Sequence, residues 1–274
     1  MRRQNQLKQL VVDYMESVPR ENRTDEEQAI LDFLKCHPFS VFPYAYTEKY
    51  KPENVEVYRD KEKKLYYVLH DGKRLYFKTG WDVALVQACY SALLLEQDTA
   101  SPHRYETADF QVAPGDVVVD AGVAEGNFAL SVVERAKELY LFEPNKDWIA
   151  PLEATFAPWR DKVHIINKCI SDVDDGIENI TLDHFFENKK IDFIKADIEG
   201  AEAQLLRGAQ TLLSKPSPMK VVLCTYHRHE DAEMFYRMLM EKGFHTEFSK
   251  GYMIFPYDNL EPPYLRRGLI RAYK

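Results

Sequence analysis

Cysteine is scarce: only Cys36, Cys89, Cys169 and Cys224 occur in 274 residues, and no two form a CxxC pair. That spacing points to neither a zinc site nor a disulfide frame, and reduced, mostly buried thiols are expected. Long apolar runs are missing as well. None approaches the roughly eighteen residues that read as a membrane span, and the segment MRRQNQLKQLVVDYM reads as an amphipathic helix without a secretory apolar region. A soluble, cytoplasmic protein is expected. Positive charge is in deficit, since 36 Lys and Arg against 44 Asp and Glu leave a formal charge of −8. This argues against a nucleic-acid partner, which needs a basic field to displace phosphate counterions. Basic residues gather in YLRRGLIRAYK, where Arg266, Arg267, Arg271 and Lys274 either meet an anionic substrate group or protect a solvated edge strand. Glycine is sparse and nowhere takes the G-x-G-x-x-G spacing of a dinucleotide site.

What is present suffices for one α/β core and about a hundred further residues. Residues 1–105 read as an accessory region. Two stretches of helical spacing fill its first 36 residues, the second opened by Thr24 with Glu27 at the capping-box position. VEVYRD, LYYVLH and KRLYFK follow as an antiparallel meander, the last two joined by the hairpin dipeptide Asp71-Gly72. WDVALVQACYSALLLEQD then reads as a helix with a wide apolar face. The aromatic FPYAY (42–46) and the tyrosine-bearing meander either stack on sugar rings as a lid or serve as a packing or homodimer module. Residues 106–274 read as the catalytic domain: strands VVVDAG, ELYLFEPN, KVHIINKCIS, IDFIKAD and KVVLCTYH alternate with helical patterns, and HTEFSKGYMIF and GLIRAYK close as two strands without a helix between them. That order predicts a mostly parallel sheet with helices on both faces and an antiparallel hairpin at one edge.

Two stretches carry the chemistry. In VVVDAGVAEGNFAL an apolar strand ends in Asp120, turns through Gly122 and Gly126, and enters a helix at Asn127 and Phe128. Such a turn brings backbone N–H groups close to a ligand, and the absent third glycine favours a ligand with no pyrophosphate. Glu143, ending the next strand, is placed to accept from both hydroxyls of a ribose, or to cap the helix after Pro144. Asp172, after the third strand, is placed to meet an adenine amino group, or belongs to the turn SDVDDG. In DFIKADIEGAEA, the carboxylates Asp192, Asp197, Glu199 and Glu202 gather around the end of a buried strand, where an open α/β sheet builds its site.

Over roughly 105–255 these residues resemble the FkbM-type S-adenosylmethionine-dependent methyltransferases. GDVVVDAGVAEGNFAL is similar to that family's first motif, LFEPN to its acidic second-strand motif, and TLDHFF with IDFIKADIEGAEAQLLRGA to its hallmark segment. VAEG departs from the family's usual turn. The resemblance implies a class I methyltransferase, Rossmann-like fold of seven strands. It also implies an S-adenosylmethionine site, with S-adenosylhomocysteine as product, over the first, second and fourth strands of the sheet. It further implies a cofactor contact for Glu106, beside Tyr105, and a hydroxyl acceptor on a sugar, a polysaccharide intermediate or another small molecule.

Methyl transfer to oxygen is an in-line displacement, so alignment, exclusion of water and removal of one proton are the protein's tasks. Asp120 and Asp197 are expected to hold the cationic cofactor. His227, ending KVVLCTYH, is the expected general base, with a helix-capping histidine as the plainer reading. Asp197 or Glu199 is the alternative base, or part of a magnesium site. Lys195 is expected to pair with Glu199 or Glu202, and His103 and Arg104 to contact the acceptor or to lie solvated in a loop. A catalytically inactive cofactor-binding protein that recognises a glycan or partner, and an NAD-dependent oxidoreductase, are the competing readings.

Overall fold

The structure, a computed structural model, describes residues 2–256 and 260–274. Two helices open it, α1 (Arg2–Ser17) and α2 (Asp25–Cys36). α2 starts where the sequence places it, because the Thr24 side chain accepts from Glu27 N while the Glu27 carboxylate accepts from Thr24 N. The meander follows as β1 (Tyr58–Asp60), β2 (Leu65–His70) and β3 (Lys73–Tyr76), with Asp71 and Gly72 both at positive φ in the tight turn. Val55 to Val57 lie outside β1. Helix α3 (Val83–Glu96) is capped by Asp82, whose side chain accepts from Leu85 N.

The second part supplies β4 (Val117–Ala121), α4 (Asn127–Val132), β5 (Glu138–Phe142), α5 (Ile149–Phe156) and β6 (Val163–Ile166). A small pair follows, β7 (Cys169–Ile170) and β8 (Asn179–Ile180), so KVHIINKCIS is two strands. Then come α6 (Leu182–Phe185), β9 (Phe193–Ala196), α7 (Glu202–Arg207), α8 (Gln210–Ser214), β10 (Lys220–Cys224), α9 (Asp231–Glu241), β11 (His245–Phe248) and β12 (Leu269–Tyr273). The expected single helix EAQLLRGAQTLL breaks at Gly208, where a Cβ would stand 2.0 Å from Ser171 O.

Seven strands form one sheet in the order β11-β12-β10-β9-β4-β5-β6. All neighbours are parallel except β12, which runs antiparallel to both β10 and β11. This is the mostly parallel, Rossmann-like sheet that the alternating pattern predicts, with the seven strands that the family resemblance implies. β12 is an interior strand, so YLRRGLIRAYK is not a solvated edge: Arg266 and Arg271 are buried. The two final strands do form the antiparallel pair expected at one edge of the sheet, with β11 outermost and β12 inserted between it and β10.

Alternation along each strand sorts the two faces. Val118, Phe193 and Val222 pack with the meander, α3, α4 and α5, while Val119, Ile194 and Val221 pack with α6 to α9. Phe42 and Tyr46 of FPYAY are buried in the first of these clusters and do not form an exposed stacking platform. α1 and α2 close a third cluster with Ile254 and Tyr264. The cysteines are all free, but only Cys224 is buried and Cys36 is exposed, which corrects the expectation of mostly buried thiols. Among the described residues no helix is long and apolar enough to cross a membrane.

Candidate active site

The chain reverses its direction of travel across the sheet between β4 and β9, where open α/β sheets leave a crevice at the strands' carboxyl ends. Two turns meet there. After β4 the chain turns at Gly122, with φ +71° and a would-be Cβ only 1.9 Å from Asp197 O. No side chain fits, so this glycine is required by the protein's own packing. Gly126 likewise starts α4 in the left-handed region, with Leu152 and Phe156 against its missing Cβ. After β9 the turn passes through Glu199 and Gly200, both at positive φ, which leaves the Glu199 side chain 90% exposed.

The same alternation that builds the core projects Asp120, Lys195 and Tyr226 onto one face. Asp120 and Lys195 form a buried ion pair, Oδ1 to Nζ 2.9 Å, and Lys195 also donates to Gly122 O at 2.7 Å. Lys195 therefore pairs with Asp120 and not with Glu199 or Glu202, because its strand position points it at β4. Burial opposes its charge, but Asp120 and Asp197 together hold the ammonium above the ordinary lysine value.

Asp197 is the hub. Tyr105 Oη donates to its Oδ2 at 2.9 Å and Tyr226 Oη to its Oδ1 at 3.2 Å. His103 Nε2 lies 3.5 Å and His227 Nε2 3.6 Å from the same carboxylate. Burial alone would raise its pKa; the contact with His103 and the nearby Lys195 and His227 outweigh it and hold the carboxyl well below the usual range. Burial pushes both tyrosines well above theirs, so they remain donors. Around this hub stand two acids that the sequence reading did not single out. Glu96 is pushed up to about 7 by loss of water around its carboxyl and by the nearby Asp197 and Glu125, a rise that His103 partly restrains. Glu125 is also raised by burial and accepts from Cys89 Sγ.

Glu143, buried at the end of β5, accepts from Ala124 N and Asn145 N, each at 2.8 Å. It thereby steadies the VAEG turn, in which Ala124 has φ +44°. Two carboxylate oxygens offer about four acceptor directions, so two remain for other donors. Asn127 and Phe128 are buried at the start of α4.

Two expected contacts are not brought to the crevice. Glu106 is bound by Arg135 at 2.6 and 2.7 Å and by Val112 N at 2.7 Å. Arg135 in turn accepts from Gly115 N, ahead of β4, so Glu106 sits toward the amino end of that strand. Its neighbour Tyr105 is the residue that reaches Asp197. Asp172 is drawn to Arg207 Nε at 2.7 Å, and that bond lowers its pKa. His103 is buried in the network rather than solvated, and Arg104 is committed to Glu106 O and Gln97 O. Tyr226 was legible in principle: continuing the alternation Val222, Cys224 past the end of β10 reaches it. A separate groove of about 920 Å³, lined by Arg104, Asp192, Lys220, Glu247 and Arg271, lies away from these groups, reaching the amino ends of β9 and β10.

Asp120, Asp197, Glu143, Glu96 and Glu125 lie within one another's electrostatic reach, a set of acids that suits a ligand cationic at one end and carrying hydroxyls at the other. Asp120 Oδ2, buried and without a hydrogen-bond partner, adds an acceptor still to be used. Residues 170–246 match the family model described as Methyltransferase FkbM domain. No curated protein sequence matches the chain. Among solved structures, the chain is similar to the methyltransferase FkbM of Methylobacillus flagellatus KT at 16% identity and a TM-score of 0.47. That alignment takes in 99% of this chain and 59% of that one, so the chain spans about 59% of that relative's length. It is also similar to the precorrin-6y C5,15-methyltransferase of Geobacter metallireducens, at 13% identity, TM-score 0.41, and 60% and 84% of the two chains. A Streptococcus mutans protein in complex with SAH aligns at 13% identity, TM-score 0.39, over 60% and 90%.

Proposed function

Starting from a chain whose residues 170–246 match the FkbM methyltransferase domain, we propose that it transfers a methyl group from S-adenosylmethionine to a hydroxyl of a sugar or other small molecule. The observation that carries this reading is the Asp197 hub at the sheet's switch point, set beside a carboxylate crevice that lacks the glycine pattern of a pyrophosphate site. When bound, S-adenosylmethionine supplies an electrophilic methyl on a positively charged sulfur. Asp197 and Asp120 provide negative charge for the cofactor's cationic end, and Glu143 offers its free acceptor directions to a ribose diol. His227 Nε2, which faces Asp197 Oδ1 at 3.6 Å and Glu199 Oε2 at 3.8 Å, takes the proton of the acceptor hydroxyl as oxygen attacks. Tyr105 and Tyr226 hold Asp197 in place and, with buried His103, keep water from the inner side of the crevice.

Calorimetric titration with S-adenosylhomocysteine, with NAD as control, tests the reading. Binding of the first alone is the expected result; binding of NAD, or of neither ligand, would overturn it. Glu143→Ala should then weaken S-adenosylhomocysteine binding by roughly 1–3 kcal/mol through the loss of buried hydrogen bonds. An unchanged affinity would remove Glu143 from the ribose site.

A further inference from the structure

One buried carboxylate has no part in the scheme so far. Glu202, in the first turn of α7, is fully buried. Its Oε1 accepts from Ile198 N at 2.9 Å and lies 3.1 Å from His227 Nδ1, an approach close in distance but oblique to the ring N–H. Its Oε2 has no hydrogen-bond partner. We propose that Glu202 is a positioning residue: it fixes His227 in the tautomer that carries its proton on Nδ1, leaving Nε2 as the proton-accepting atom toward the crevice.

The physical argument begins with cost. A carboxylate removed from water is expensive unless a donor compensates it. One backbone amide is a small compensation for Glu202, and the side-chain donor the structure sets against it is His227 Nδ1. The other acid close to this pair, Asp231, is already bound to Arg228 N at 2.8 Å. The imidazole is held from its remaining sides as well. Its ring stands 4.3 Å from that of Tyr226 and edge-on to Phe255 at 5.5 Å, and Arg266 Nη1 donates to the His227 carbonyl at 2.8 Å. A proton on Nδ1 therefore answers Glu202, and Nε2 is turned to Asp197 and Glu199. The geometry also ties two functional elements to one group, because Ile198 directly follows Asp197: the carboxylate that orients the base also sets the turn carrying the hub. Burial works against charging the ring, but Glu202, Asp197 and Glu199 outweigh it and raise its pKa, with Arg228 and Arg266 the cations on the same side. An imidazole braced by a carboxylate in this way is a stronger base at its free nitrogen.

The role of Nε2 in catalysis rests on the methyl-transfer reading; the tautomer does not, and the test separates them. Protein labelled with ¹⁵N in its imidazoles is titrated by NMR, with His227→Gln assigning the His227 signals. The wild type should show the neutral ring protonated at Nδ1. In Glu202→Gln the amide carbonyl, in the place of Oε1, can still accept from Ile198 N and from Nδ1–H, because both lie against that one oxygen. The Nδ1–H tautomer should then persist, and the ring should titrate at lower pH because the negative charge is gone. Glu202→Ala should lower the titration as well and release the tautomer, so that signal of the Nε2–H form appears. A wild-type ring protonated at Nε2, or a tautomer and titration unmoved in both variants, would overturn the proposal. So would Mn²⁺ broadening of the His227 signals in the wild type but not in Glu202→Gln, which would make the pair cation ligands. S-adenosylhomocysteine titrated into the same samples reports separately on the cofactor reading: no binding to wild type, with the expected tautomer, would sink methyl transfer and leave the positioning role standing. With an acceptor in hand, Glu202→Gln, which keeps the tautomer, should cost less in kcat than Glu202→Ala.

Discussion

Lys195→Met should destabilise the fold by roughly 3–5 kcal/mol, the cost of leaving one member of a buried ion pair without its partner. The effect is large because, among the described residues, nothing else compensates Asp120. Its carboxylate is fully buried, Lys195 Nζ at 2.9 Å is its counter-ion, and burial already pushes its pKa up. Methionine nearly matches the volume of lysine, so the loss would come from charge rather than from a cavity. Urea unfolding of the wild type, Lys195→Met, Asp120→Asn and the double variant measures it. The double variant should be markedly more stable than Lys195→Met, since removing both charges removes the orphan. A Lys195→Met loss below about 1 kcal/mol would mean that water or another donor reaches Asp120, and that the pair contributes no more than an exposed one.

His227→Ala should lower turnover by about 10²- to 10⁴-fold while S-adenosylhomocysteine binding is unchanged, the signature of a general base that takes no part in cofactor affinity. Its pH dependence supplies a second reading. The structure raises the His227 pKa, so the proton-accepting form is populated only at a pH above the ordinary imidazole value of about 6.5. The acid limb of kcat should therefore lie above that value, rising with pH, and should vanish in His227→Ala. A limb at or below the ordinary value, or near-normal turnover in the variant, would pass the role to Asp197 or Glu199.

Much of this was legible in the sequence because strand alternation is a rigid rule. Once VVVDA and DFIKAD are read as neighbouring strands, Asp120, Lys195 and Asp197 must share a face, and the glycine turn must lie beside them. What alternation could not provide was the partner of Lys195. It sits across the sheet rather than along the chain, whereas Glu199 and Glu202 only look close in sequence. His103, Tyr105 and Glu96 come from the end of α3 and the linker beyond it, where no period applies, and their convergence on Asp197 is visible only in the fold. The Tyr105-Glu106 pair shows the limit of motif reasoning: its two residues go to opposite ends of β4, and the tyrosine rather than the acid enters the site. The basic stretch was misread for a related reason. Charge suggested solvent, but Arg266 and Arg271 spend their donors on main-chain carbonyls of Tyr226, His227, Arg104 and Tyr105.

Those two arginines have a consequence for the order in which the protein assembles. β12 follows β11 in sequence but lies between β11 and β10, so β11 has no ladder partner until β12 has been made. The segments carrying His103–Tyr105 and Tyr226–His227 are translated long before the arginines that grip them. A nascent chain can thus complete the parallel core from β4 to β10 while the crevice above it remains slack. Pairings between segments so far apart close slowly, and cofactor recognition should be among the last properties a refolding molecule recovers, after its secondary structure and most of its buried core.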